Sequence, residues 1–263
     1  IGLTPSVRKV LNKVEIEALQ QFNSSRSAGP STAEWKLYYW PGSIGRGEYV
    51  RLMFAELGIE YEDVGRSKGP QEVIKFLRGN PAGGAPTYAP PVIVNSTTGF
   101  TLSQTPAILQ YLGTKFGLAP KNEEQLAWAS AVNLTIHDFM AGGRGAFHGP
   151  PNPTRSYYHQ VDEARPAVEF YKTEILPKQL AYLEELLTSN AGGDGFLVGD
   201  SMSFADVSLL HWLDAAEFQM PEAYAALTIP RLRAYRERIA SRPRLAAYLA
   251  SDRRGRFFGD SFM

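Results

Sequence analysis

The chain has 263 residues, 44% of them hydrophobic and 21% charged, with 27 Lys plus Arg against 27 Asp plus Glu. That length suits two modest domains rather than one small core, and a formal charge of zero gives no electrostatic pull towards nucleic acid or an acidic membrane. With no cysteine in the chain, disulfides, cysteine-held zinc and a protein thiol nucleophile are excluded, so any sulfur chemistry must use sulfur brought by a ligand.

In chain order, Thr4-Pro5 reads as an N-cap followed by a first-turn proline. Val7, Val10, Leu11 and Val14 then recur at helical spacing, which predicts a helix from Pro5 to Phe22. Asn23 to Ser31 is a Ser/Gly-rich linker, so residues 1–33 form an N-terminal extension. One reading of it is the remnant of a targeting segment, against which Glu15 and Glu17 speak. Trp35 to Trp40 reads as an aromatic strand broken by Pro41-Gly42-Ser43. Gly47 to Leu57 reads as a helix with Val50, Met53, Phe54 and Leu57 on one face and Gly58 as its stop. A strand over Tyr61 to Val64, a helix over Gln71 to Arg78 and a long Pro/Gly stretch from Gly79 to Pro91 follow. Val92 to Asn95 and Phe100 to Leu102 make a hairpin, and Thr105-Pro106 opens a helix to Phe116. The order βαβ then ββα implies a parallel pair joined by a right-handed crossover. From Asn122 the pattern is helical, with helices over 122–141, 162–188, 203–218, 228–240 and 243–250. Pro166 and Pro177 should start or kink the second of these. The fold class is therefore α/β plus all-α: residues 34–117, then an all-helical domain over 121–252 and a basic, aromatic tail over 253–263. That tail is expected to fold over a neighbouring groove. No apolar run approaches the roughly 20 residues that span a bilayer.

Three motifs carry chemistry. In WKLYYWPGSIGRGEYVRLMFAELGIEYEDV (35–64) a tyrosine ends a strand and faces the mouth of the sheet, where open α/β sheets bind ligands. In LSQTPAILQYL (102–112) Thr105 reads as an N-cap, and the helix start behind it suits a carboxylate. In FLVGDSMSFADVSLL (196–210) Ser203-x-x-Asp206 is a capping box, with Met202 and Val207 as its hydrophobic staple; this pair is structural. His137, His148, His159 and His211 show no metal-ligand spacing, so no metal is expected.

Together the three motifs resemble the cytosolic glutathione transferase superfamily over residues 35–250, in the style of its tyrosine-type, Sigma-like classes. The resemblance implies a thioredoxin-like first domain, an all-α second domain and glutathione as co-substrate. It carries the catalytic tyrosine onto Tyr39, whose hydroxyl would hold the glutathione sulfur as a thiolate, with Arg46 assisting. Ser43 stays as the rival thiolate stabiliser, because other classes use a serine near this helix start. Gln104 and Thr105 match the pair that holds the γ-glutamyl end. The family's cis-proline falls in Ala89-Pro90-Pro91, with the cis bond expected at Ala89–Pro90 and the backbone of Ala89 against the cysteinyl part of glutathione. The family's tryptophan near the second helix has no counterpart, which leaves Lys75, Arg78 or Arg66 for the glycyl carboxylate. The family's cross-subunit acid falls on Leu134, beside Asn133. Phe139, Phe147, Tyr157 and Tyr158 are candidate lining for an acceptor pocket that suits an apolar electrophile. Transfer of the thiolate to such a small molecule is the leading activity. Glutathione-dependent isomerisation or peroxide reduction on the same site, and a non-catalytic ligand-binding role, are the alternatives. The resemblance further implies a homodimer in the cytoplasm, or in an organelle if the extension is a processed targeting remnant.

Overall fold

A computed structural model describes residues 33–79, 85–149, 157–190 and 195–257. The expected helix Pro5–Phe22, the linker after it and the end of the tail lie outside the described residues. Contacts divide the chain into two compact units. One holds the described residues through Gly47 with Glu60–Gln104, and the other holds Glu48–Ile59 with those from Thr105 onward.

The first unit is built on a four-stranded sheet in the order β2-β1-β3-β4. Strand β1 is Trp35–Tyr38, β2 Tyr61–Asp63, β3 Val92–Asn95 and β4 Thr101–Ser103. β1 runs parallel to β2 and antiparallel to β3, and β3 runs antiparallel to β4. Trp35 and Leu37 of β1 are buried while Lys36 and Tyr38 are half-buried, the period-two signature of a pleated strand. In β3 all four residues are buried, as its Val-Ile-Val run requires of an inner strand. Helix α1 is Gly45–Leu57, α2 Val64–Lys68 and α3 Pro70–Gly79. Helix α3 buries Val73 and Phe76, and Phe76 packs against Val92, Val94 and the Tyr38 ring. Val64, expected at the end of a strand, instead opens α2, because the Asp63 side chain accepts the Arg66 N–H as an N-cap. Helix α1 stops at Gly58, whose positive φ of 69° lets the Ile59 N–H reach back to the Phe54 carbonyl at 2.9 Å.

The second unit is almost wholly helical. Helix α4 is Thr105–Phe116, α5 Glu123–His148, α6 Val161–Phe170, α7 Leu176–Ser189, α8 Phe204–Gln219, α9 Pro221–Ala225, α10 Pro230–Ala240 and α11 Pro243–Leu249. Helix α8 is its centre, buried on nearly every side and packed against α4, α5 and α10. A helix that is apolar all round belongs in a core. The capping box forms as the spacing predicts, and Asp206 does more than cap. Its Oδ2 accepts the Ser203 N–H at 2.7 Å and the Ser203 hydroxyl at 3.0 Å, and its Oδ1 accepts the Leu197 N–H at 3.0 Å and the Tyr235 hydroxyl at 2.7 Å. Burial raises the Asp206 carboxyl above its usual range, against the pull of those donors. Helix α5 runs seven residues beyond its expected end, through Gly142, Gly143 and Gly145. Tertiary packing overrides their poor helix propensity: Gly143, Ala146 and Phe147 are buried there. The helix expected over 162–188 is interrupted. A π-helical turn, Tyr171–Ile175, separates α6 from α7, with Pro177 in the first turn of α7.

A buried charge network ties α1 into this unit. Glu48, fully buried, accepts from Arg51 at 3.2 Å, the Tyr248 hydroxyl at 2.7 Å and Arg254 at 2.5 Å. Arg254 goes on to Asp214 at 3.1 Å, and Asp214 to Arg236 at 2.7 Å. The tail thus packs onto its own helices, with Phe257 stacked on the rings of His211 and Phe218. Among the described residues no helix is long and apolar enough to cross a membrane.

Candidate active site

The register of the sheet brings the predicted glutathione-site residues of the first unit to one end. Tyr38 pairs with Val92 and Val92 with Ser103. The residues just outside those pairs, Tyr39, Pro91 and Gln104, therefore leave three adjacent strands at the same edge. Strands lie about 4.8 Å apart, so β1 and β4 are separated by about 10 Å, a span suited to an extended tripeptide.

Tyr39 follows β1 and is buried at 3% exposure, whereas Tyr38 points to the opposite face and packs on Phe76. Burial, with the Glu62 and Glu72 carboxylates, raises the Tyr38 phenol above its ordinary value. The Tyr39 hydroxyl accepts a hydrogen bond from the Arg46 main-chain N–H at 2.9 Å. Arg46 lies in the first turn of α1, where N–H groups have no partner within the helix. The contact between the two predicted catalytic residues is thus made by the Arg46 backbone. Ser43 lies in the turn ahead of α1, its N–H 3.5 Å from the Trp40 carbonyl.

The cis peptide bond lies between Pro90 and Pro91, one residue later than the Ala89–Pro90 bond expected. Pro90, the residue ahead of this bond, carries no N–H to donate. Val92 is already paired with Tyr38, so the entry into β3 falls at Pro91. Ala89 is exposed and Pro90 half-buried. Gln104 is exposed and has φ 73°, the one non-glycine residue with positive φ among the described residues. Such a backbone costs on the order of 1–3 kcal/mol and concentrates at ligand sites. Thr105 is the first helical residue of α4 rather than the cap before it. Its hydroxyl is buried without a hydrogen-bond partner among the described residues. Of the three glycyl-carboxylate candidates, Arg66 is paired with Asp63 at 3.5 Å and Lys75 with Glu72 at 3.8 Å, while Arg78 is exposed.

In the second unit three of the four predicted pocket residues cluster. Phe147 meets the Tyr157 ring at 5.1 Å, and Tyr157 meets Tyr158 at 6.1 Å. Phe139 lies eight residues earlier on α5, about 12 Å along the axis, and packs instead on Trp212 and Tyr182. Asn133 is buried, donating to the Pro106 carbonyl and accepting from Ser208 at 2.6 Å, while Leu134 beside it is exposed. Two residues that the sequence reading missed flank Tyr39: Gly47, which touches its ring, and Gly65, which touches its main chain. Neither stands in a turn signal or at a positive φ, so nothing local in the sequence marks them.

Residues 33–114 match the family described as glutathione S-transferase, N-terminal domain, and residues 152–252 match glutathione S-transferase, C-terminal domain. Glutathione S-transferase P 1 of Xenopus laevis is 30% identical over 221 residues, covering 84% of this chain and 93% of that one. Glutathione S-transferase P 10 of Caenorhabditis elegans is 29% identical, covering 81% and 90%. Among solved structures, the glutathione S-transferase from Ascaris lumbricoides has a TM-score of 0.60 at 25% identity, over 82% of this chain and 96% of that one. The Pi-class enzyme of Onchocerca volvulus, at 23% identity and TM-score 0.64, shares the fold over 82% and 91%. The Xenopus, Caenorhabditis and Onchocerca relatives carry the P or Pi designation rather than the Sigma one. With both halves matched in order and the frog protein aligned over nearly its whole length, the chain belongs to the glutathione S-transferase family.

Proposed function

We propose that this protein is a glutathione transferase in which the Tyr39 hydroxyl holds the glutathione sulfur as a thiolate for attack on apolar electrophiles. The observation that carries the reading is the Arg46 N–H donated to the Tyr39 oxygen. With its oxygen accepting from that N–H, the phenol keeps its one proton to donate, and the N–H polarises that O–H into a better donor. A hydrogen bond to a charged partner gives about 1.5–3 kcal/mol. Since one pKa unit is about 1.4 kcal/mol, that lowers a thiol from about 8.5 by one to two units. The thiolate sulfur forms the new C–S bond, and the displaced electron pair leaves with the departing group or takes up a proton. The Gln104 backbone and the unpartnered Thr105 hydroxyl, with the free N–H groups opening α4, suit the γ-glutamyl carboxylate. The cluster of Phe147, Tyr157 and Tyr158 supports an aromatic or otherwise apolar acceptor. A homodimer working in the cytoplasm is the family's usual state. Size-exclusion chromatography checks whether two copies associate.

Tyr39→Phe tests the mechanism. The expected result is a drop in kcat/KM with a standard electrophile of roughly ten- to a hundredfold, with glutathione affinity nearly unchanged. An unaltered rate would transfer the thiolate to Ser43.

A further inference from the structure

The contacts of Tyr39 assign a role to two glycines outside the family reading. A methyl group at Gly47 would lie 2.5 Å from Tyr39 Cγ and 2.9 Å from Cε1, and closer still to Cδ1. Carbon atoms normally rest about 3.5–4.0 Å apart, so the ring lies directly against the Gly47 backbone. A methyl at Gly65 would overlap the Tyr39 carbonyl oxygen and come within 3.0 Å of its carbon and 3.4 Å of Pro41 N. Neither glycine has a positive φ, so what each position requires is room and not backbone freedom. Both lie in the first unit with Tyr39. The ring is buried at 3% exposure, so it has no solvent to swing into.

We propose that Gly47 and Gly65 are positioning residues that clamp Tyr39, Gly47 setting the ring and Gly65 the main chain, so that the phenol meets the Arg46 N–H and the ligand sulfur together. Relieving a methyl at Gly47 moves the ring by about 1 Å. The Arg46 N–H→Tyr39 bond leaves no such slack at 2.9 Å. A displacement of about 1 Å at a reacting group can lower a rate by about 100-fold.

The inference rests on the assignment of Tyr39 as thiolate stabiliser, and the experiment separates the two. The thiolate absorbance of bound glutathione is titrated against pH in the full-length protein, in Gly47→Ala, in Tyr39→Phe and in the double variant. Gly47→Ala should raise the bound thiol's pKa towards that of Tyr39→Phe, and the double variant should go no higher than Tyr39→Phe alone. Equal additive shifts, or a Gly47→Ala titration matching the parent while Tyr39→Phe is shifted, overturn the clamp and leave the tyrosine's role standing. A Tyr39→Phe titration matching the parent removes the tyrosine from the mechanism, and the clamp with it as a catalytic device. A second arm needs no glutathione and survives a Gly47→Ala protein that does not fold. In a Tyr39→Ala background the ring is gone, so adding Gly47→Ala to helix α1 should not lower the thermal unfolding midpoint. A midpoint that falls there shows that Gly47 is required by something other than Tyr39.

Discussion

The surroundings of Tyr39 and of Glu48 lie next to each other in sequence and are made in opposite ways. Around Tyr39 main chain sets the geometry: one N–H at 2.9 Å on the hydroxyl and two glycines against the ring and carbonyl. Around Glu48 side chains set it: two arginines and a phenol converge on one buried carboxylate. Main-chain contacts define a position finely but contribute little to stability, since a neutral hydrogen bond nets about 1 kcal/mol. Buried charges hold segments far apart in sequence, and breaking one leaves the others unpaired. Changes near Tyr39 should therefore appear mainly in chemistry, and changes near Glu48 mainly in folding.

The largest expected effect is on the Glu48 side. Glu48→Ala removes the buried carboxylate shared by Arg51, Arg254 and Tyr248 and should destabilise the protein by about 3–5 kcal/mol, read as the shift in denaturation midpoint. Asp206→Ala comes next. It leaves four donors unsatisfied, and a loss on the order of 3 kcal/mol is expected in the same measurement. Asp206 also predicts a pH signature. Burial raises its folded-state pKa above 3.8, so just above that value the native state keeps a proton that the unfolded chain has lost. Its contribution to stability therefore falls as pH rises from 3.8 through the folded pKa. Asp206→Asn should flatten that part of the stability profile; a profile parallel to the parent's would contradict the assignment. The smallest effect belongs to the ligand side. Thr105→Val removes an unpartnered hydroxyl, so stability should hold while the KM for glutathione rises several-fold, the equivalent of about 1 kcal/mol. An unchanged KM would remove Thr105 from the site, and a large stability loss would erase the contrast between the two regions.

Most of the architecture was legible because it is written locally. Strand β1 alternates, β3 is a β-branched run, and Ser203-x-x-Asp206 caps α8 as its spacing says. What stayed hidden depends on residues distant in sequence. Tyr235 reaches Asp206 from 29 positions away, and no pattern near either residue announces it. The glycines of α5 read as a helix end, yet the helix runs on through them with Gly143, Ala146 and Phe147 buried, where propensity is a weak guide. At the candidate site the same division holds. Tyr39, Arg46, Gln104 and Thr105 are candidates because their motifs mark them, whereas Gly47 and Gly65 matter only for what touches them.

The π-helical turn at Tyr171–Ile175 bears on how the chain tolerates a change in length. The buried residues Ala164, Val168 and Tyr171 continue as Leu176, Leu180, Leu183 and Leu187. Every step in that stripe is three or four residues except the one across the turn, which is five. An ordinary helix would swing the later leucines away from the core at that point; the wider turn absorbs the surplus residue and keeps them in line. Removing one solvent-facing residue there would restore the common spacing without rotating either flank, which makes this short stretch a splice joint where the chain can lose a residue and keep its buried seam.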